Sequence, residues 1–78
     1  MALQFHGNDP ECPGNSCPAV FTDLETGDFY FQGETVIDPE VLARMSADCP
    51  PLDSESVVRL PARMVEIIVE ACRAGVVR

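Results

Sequence analysis

The stretch Ala19-Val20-Phe21-Thr22-Asp23-Leu24-Glu25-Thr26-Gly27-Asp28-Phe29-Tyr30-Phe31-Gln32 decides the fold. Both of its ends are rich in β-branched and aromatic residues, which favour strands. Its centre contains Gly27, which supplies the positive φ that a tight turn needs. Residues 18–33 are therefore predicted to form a β-hairpin. Alternation along the second strand places Phe29 and Phe31 on one face, which we expect to be the core face.

The residues after this hairpin indicate two units that each run from a strand through a proline into a helix. Residues 34–37 favour a third strand, and Asp38 is placed to cap a short helix over residues 39–46. Residues 55–60 favour a further strand before a long helix over residues 61–74. The sequence therefore predicts an α+β fold. It consists of a small, three- to four-stranded, mainly antiparallel sheet packed against one long C-terminal helix and one short helix.

The predicted C-terminal helix has a wider apolar surface than most surface helices, and Gly75 is expected to end it. Its polar residues form a single stripe, which comprises Arg63, Glu66, Glu70 and Arg73. A surface helix needs an apolar arc of a little over 100°, and this arc is wider. Either the helix is the central core element, or part of it contacts a partner. The predicted partner-binding residues are Met64, Ile67, Ile68 and Ala71 on the helix, with Glu25 and Asp28 in the acidic hairpin.

The first 17 residues differ in composition from the rest of the chain. Residues 1–17 form a Pro/Gly/Cys-rich lead, and residues 18–78 are expected to form a single small domain. Pro10 and Pro13 each remove a backbone donor, and Gly7 favours a turn. This lead is therefore expected to lack helices and strands.

Four cysteines and a single histidine are the candidates for metal or redox chemistry. Cys12, Cys17, Cys49 and His6 together make a Cys₃His set of the kind that binds tetrahedral zinc. Alternatively, Cys12 and Cys17 form a redox-sensitive disulfide across the Pro-Gly-Asn turn between them. In the simplest interpretation the thiols bind nothing and the protein has no cofactor. No residue pattern indicates a catalytic site, so we do not expect an enzyme.

The net charge of −8 arises entirely from the first half of the chain. Residues 1–43 contain eight carboxylates and no arginine, whereas residues 44–78 contain five of each. Clustered cations are needed to bind a phosphate backbone or an anionic membrane, so we expect neither partner. A basic protein would be attracted to the acidic half. The sequence shows no secretory signal and no apolar run long enough to span a bilayer, which predicts a cytoplasmic location.

Several short motifs between residues 17 and 62 resemble those of a protein group. They are Cys17-Pro18-Ala19-Val20-Phe21, Gly27, Gln32-Gly33, Val36-Ile37-Asp38-Pro39-Glu40 and Val58-Arg59-Leu60-Pro61. The chain resembles short, uncharacterised actinobacterial proteins that are often encoded beside helix-turn-helix regulators. The resemblance implies an accessory or regulatory partner of a transcription regulator. Three alternatives remain open: a zinc- or thiol-dependent module, an acidic decoy of a DNA-binding surface, and association with a second copy of the chain.

Overall fold

A computed structural model describes residues 2–12 and 17–76, and it contains two small sheets and two α-helices. The strands are β1 (Leu3–Asn8), β2 (Ala19–Asp23), β3 (Phe29–Gln32), β4 (Glu34–Thr35) and β5 (Val58–Arg59). The helices are α1 (Pro39–Asp48) and α2 (Val65–Val76), and a 3-10 turn over Ala62–Met64 leads into α2. Strands β1, β2 and β3 form an antiparallel sheet in that order, and β4 pairs with β5 in a separate antiparallel ribbon. The predicted α+β fold is confirmed.

The predicted hairpin is present as strands β2 and β3. The two strands pair antiparallel from Ala19 opposite Gln32 to Thr22 opposite Phe29. Gly27 lies in the connecting turn with a φ of +84°, and its N–H donates to the carbonyl of Asp23 at 2.7 Å. The glycine therefore has the conformational role that the sequence assigns to it.

Strand β1 corrects the prediction that the lead lacks regular structure. Residues 3–8 pair with β2, with a shift in register between Phe5 and Gly7. Gly7 has a φ of +152°, and a Cβ atom built there would lie 3.2 Å from Cδ1 of Ile67 in α2. Glycine and asparagine weaken the local β-propensity of this segment. The strand forms because β2 offers a long-range partner, which no local pattern reveals.

The buried core lies between α2 and the three-stranded sheet. Helix α2 packs on β1 and β2. Val20 of β2 is fully buried together with Met64 and Ala71, and Leu60, Ile67 and Ile68 pack around them. Few side chains are fully buried, so each of them makes a large contribution to the stability of this small domain.

Both helices differ slightly from their predicted limits. Asp38 caps α1 as predicted, because its carboxylate accepts the N–H of Glu40 at 2.9 Å, and the helix then continues to Asp48. Gly75 does not end α2, which continues to Val76. A glycine costs only about 1 kcal/mol inside a helix, so one residue of this kind near the end does not stop it.

The two phenylalanines of β3 share a face, as predicted, and pair across the sheet with the buried Val20 and Thr22 of the α2 side, but both rings remain about half exposed. Their ring centroids lie 6.2 Å apart. Phe29 is 45% exposed and Phe31 is 43% exposed. The reason is the unexpected strand β1, which makes β2 the central strand beneath α2. Strand β3 is left at the edge of the sheet, beyond the strands on which the helix packs.

Candidate functional site

Asp9, Cys12, Cys17 and Arg63 form a cross-linked corner beside the sheet, which we call the cysteine corner. Cys12 and Cys17 form a disulfide with their Cα atoms 5.7 Å apart. The carboxylate of Asp9 is buried and accepts two hydrogen bonds from Arg63, from Nε to Oδ1 and from Nη2 to Oδ2, both at 2.6 Å. Arg63 lies in the 3-10 turn, so this bidentate pair joins the end of the lead to the start of α2.

The ion pair between Asp9 and Arg63 makes the stability of the folded protein fall as the solution becomes acidic. Hydrogen bonds from the Arg63 guanidinium, and then from the N–H of Glu11, hold the pKa of Asp9 below its ordinary value of 3.8, although burial acts in the opposite direction. A carboxyl with a depressed pKa in the folded state stabilises the protein above its unfolded pKa. That contribution is lost as pH falls through the folded pKa.

The expected result is that Asp9→Asn destabilises the protein at neutral pH and destabilises it less in acid. The substitution removes the charge, so the difference in melting temperature between the two proteins should shrink as pH falls below about 4. Thermal unfolding followed by circular dichroism over that range measures it. A difference that stays constant down to pH 2 would show that the Asp9 charge contributes nothing.

The predicted zinc ligands do not come together in the structure. Cys12 and Cys17 are bonded to each other, and Nε2 of His6 lies 2.6 Å from the hydroxyl of Thr22 in the neighbouring strand. Cys49 is exposed at the end of α1. Within residues 2–12 and 17–76, no group of three or more Cys, His, Asp or Glu side chains is placed to hold a metal ion. Of the two alternatives for Cys12 and Cys17, zinc binding or a disulfide, the structure shows the disulfide.

The predicted partner-binding residues divide into buried and exposed ones. Met64 and Ala71 are fully buried in the core and are not available to a partner, which corrects that prediction. Ile67 and Ile68 are partly buried against the same core. The long apolar arc of α2 is thus mainly a core surface. Its exposed apolar residues between positions 65 and 74 include Val65, Val69 and Cys72.

Glu25 and Asp28 are exposed together in the turn between β2 and β3. The N–H of Glu25 donates to the carboxylate of Asp23 at 2.9 Å. The N–H of Asp28 donates to the hydroxyl of Thr26 at 3.2 Å. Both residues are therefore fixed in the turn through their backbone N–H groups.

An apolar groove lies between α1 and the β4–β5 ribbon, and we call it the α1 groove. Its volume is about 700 Å³. The apolar side chains that line it are Val36, Ile37, Val41, Met45, Val57 and Val58. Ile37 is 83% exposed and Met45 is 45% exposed. No residue from 34 to 60 is buried, so this part of the chain has no core of its own.

The surroundings of the α1 groove are acidic. Residues 34–59 contain six carboxylates and two arginines. Both arginines are already engaged, Arg44 with Asp48 at 2.7 Å and Arg59 with Glu34 at 3.3 Å. The four carboxylates of this segment outside those ion pairs are Asp38, Glu40, Asp53 and Glu55. The groove therefore combines apolar walls with an excess of negative charge.

Sequence reasoning did not select the α1 groove as a site. The signal that points to it is the apolar face of α1, on which Val41 and Met45 lie one turn apart. An apolar helix face normally predicts burial against a core. Its exposure follows from the placement of α1 beside the short β4–β5 ribbon, which cannot be read from the pattern.

No family model, curated protein or solved structure matches this chain. The resemblance to actinobacterial proteins therefore stays a prediction. Among the helices in the described part of the chain, none combines the length and the apolar character needed to cross a bilayer.

Proposed function

We propose that this protein is a non-enzymatic protein-interaction module, and that the α1 groove binds an apolar, basic segment of a partner protein. The observation that carries the proposal is the exposed apolar lining of a groove whose supporting segment, residues 34–60, has no buried residue. Amphipathic segments dock into grooves of this kind through large aliphatic side chains. Such a partner would give α1 and the β4–β5 ribbon the apolar contacts that the chain itself does not provide.

The total surface of the chain supports a partner. The accessible surface is 5865 Å² for a mass of 8.5 kDa. A folded monomer of this mass is expected to expose about 4,650 Å². The excess of about 1,200 Å² exceeds the roughly 800 Å² that each partner buries in an interface of standard size. The radius of gyration of 13.9 Å also exceeds the value of about 11.5 Å expected for 78 residues.

The negative charge around the α1 groove indicates that the partner segment is basic. The carboxylates around the α1 groove would attract lysine or arginine side chains that flank an apolar segment. A helix-turn-helix regulator, the partner implied by the resemblance, uses basic residues to contact DNA phosphates. An accessory protein with an acidic groove fits such a regulator. Competition between this protein and DNA for the regulator would favour the acidic-decoy form of the proposal.

Titration with an amphipathic helical peptide of leucine and lysine tests the proposal. We expect this peptide to bind, and a matched peptide of leucine and glutamate to bind at least tenfold more weakly. Met45→Ala removes an apolar side chain from the groove and should lower the affinity for the lysine peptide about tenfold. Val69→Ser, on the exposed side of α2, should leave this affinity unchanged. Affinity should fall as salt is added, because the attraction is between exposed charges. Calorimetry or fluorescence anisotropy measures each affinity.

Two results of this titration would contradict the proposal. Equal affinity for the lysine and glutamate peptides would remove the electrostatic part. The second is that charge reversal at Glu25 and Asp28 abolishes peptide binding while Met45→Ala binds the peptide as the wild type does. That result would place the docking surface at the acidic hairpin instead. Circular dichroism of each variant separates loss of binding from loss of folding.

A further inference from the structure

Strand β3 is at the edge of the three-stranded sheet, and its outer side carries backbone groups that no strand in the described part of the chain pairs. The N–H of Asp23 donates to the carbonyl of Asp28 at 2.9 Å. In an antiparallel ladder the bonded pairs recur at every second residue, so the next bonded position on β3 is Tyr30. The N–H and C=O groups of Phe29 and Phe31 therefore point away from β2.

Apart from its short length of four residues, the edge formed by β3 has none of the usual protections against pairing with another strand. Edge strands are commonly guarded by lysine, proline or a bulge. Residues 29–32 read Phe-Tyr-Phe-Gln, and their pairing with β2 is regular. All three aromatic side chains are exposed. An edge of this kind is suited to the addition of a further strand.

We propose that β3 pairs antiparallel with β3 of a second copy of this chain, around a two-fold axis at Tyr30, to form a six-stranded sheet. In this register Tyr30 faces Tyr30 of the second copy, and Phe29 faces Phe31 of the second copy. The outward N–H and C=O groups of both phenylalanines then form four hydrogen bonds across the interface. The two-fold axis is perpendicular to the sheet, so the four phenylalanines form two facing pairs on the side of the sheet that carries α2. Cross-strand aromatic pairs of this kind stabilise sheets.

The charges next to β3 are compatible with this register. In this register Asp28, which directly precedes β3, faces Gln32 of the second copy. This carboxylate is therefore not opposite another, which would be unfavourable. The net charge of −8 on each copy still produces a long-range repulsion. Self-association is accordingly expected to strengthen as salt is added, whereas binding of a basic peptide to the α1 groove weakens. The opposite responses to salt separate this proposal from the proposed function.

Disulfide cross-linking tests the register. The variant Tyr30→Cys is made in a chain with Cys49→Ser and Cys72→Ser, which removes the two free thiols. Facing Cα atoms at a position without backbone bonds lie about 4.5 Å apart, within the range of a disulfide. We expect rapid formation of a cross-linked dimer under mild oxidation. Gln32→Cys, whose counterpart lies several residues away in this register, should cross-link at least tenfold more slowly. Equal rates, or a faster rate for Gln32→Cys, would overturn the register.

Sedimentation equilibrium at several salt concentrations tests the association itself. We expect the wild-type protein to form dimers, and Phe31→Lys to weaken the dimer about tenfold or more. Phe5→Lys places the same charge on an exposed aromatic position of β1 and should leave the dimer intact. A wild-type protein that stays monomeric at high concentration and high salt would overturn the proposal. If Phe31→Lys fails to fold, the cross-linking of Tyr30→Cys still decides between the outcomes.

Discussion

Replacing Met64 with alanine is expected to lower the free energy of unfolding by about 2–5 kcal/mol. Met64 is fully buried between α2 and the sheet, in a core whose other fully buried hydrophobic members are Val20 and Ala71. The shortened side chain leaves a cavity that these neighbours cannot fill. The core of a chain of this size rarely supplies more than about 3–5 kcal/mol, so the variant should be largely unfolded at 25 °C. Denaturation in urea, followed by circular dichroism, measures the change.

Met45→Ala is a matched control for the core prediction. The substitution is identical, but Met45 is 45% exposed in the α1 groove. Its effect on the free energy of unfolding should stay within about 0.5 kcal/mol. Similar losses for the two variants would mean that Met64 and Met45 are equally buried, which contradicts both the core and the groove. The same control variant is the one expected to lose binding of the basic peptide.

The double substitution Cys12→Ser and Cys17→Ser has the second largest expected effect. The disulfide closes a loop over a sequence separation of 5, and the chain-entropy model assigns about 2 kcal/mol to a loop of this length. Chemical reduction of the wild-type protein should cause the same loss. Serine at Cys49 and Cys72, both exposed and free, should leave the melting temperature unchanged. Calorimetry of the oxidised, reduced and substituted proteins measures the differences.

Adding zinc to the reduced protein tests the alternative role of the cysteines as metal ligands. If the reduced protein regains the lost stability when zinc is added, with a stoichiometry of one ion per chain, the Cys₃His alternative is favoured over the disulfide. An unchanged melting temperature after both substitutions would contradict either role for Cys12 and Cys17. Disulfides of this kind are reduced in a typical cytoplasm, so the stability of the cysteine corner depends on the compartment in which the protein works.

The sequence predicts local structure well where a single short segment decides it. The hairpin follows from Gly27 between two β-prone runs, and the start of α1 follows from Asp38. Strand β1 could not be predicted, because its pairing with β2 is a long-range contact across a segment rich in glycine and proline. That one strand also explains the exposure of Phe29 and Phe31, since it moves β3 to the edge of the sheet.

The candidate site was less predictable than the fold. Hydrophobic periodicity shows which side chains of a helix share a face, but it does not show what covers that face. On α2 the apolar face includes Met64 and Ala71, which are buried against the sheet. On α1 the corresponding face, with Val41 and Met45, lines an open groove. The two outcomes depend on which element packs nearby, and neighbouring elements are set by tertiary structure.

Hydrogen exchange during titration with the leucine–lysine peptide tests the central claim most directly. In the free protein, we expect the amides of α1 and the β4–β5 ribbon to exchange much faster than those of β2 and α2, because residues 34–60 have no buried residue. The peptide should slow exchange in residues 34–60 and leave β2 unchanged. Strong protection of α1 without any partner, or an exchange pattern that the peptide does not alter, would contradict the assignment of this groove as the binding surface.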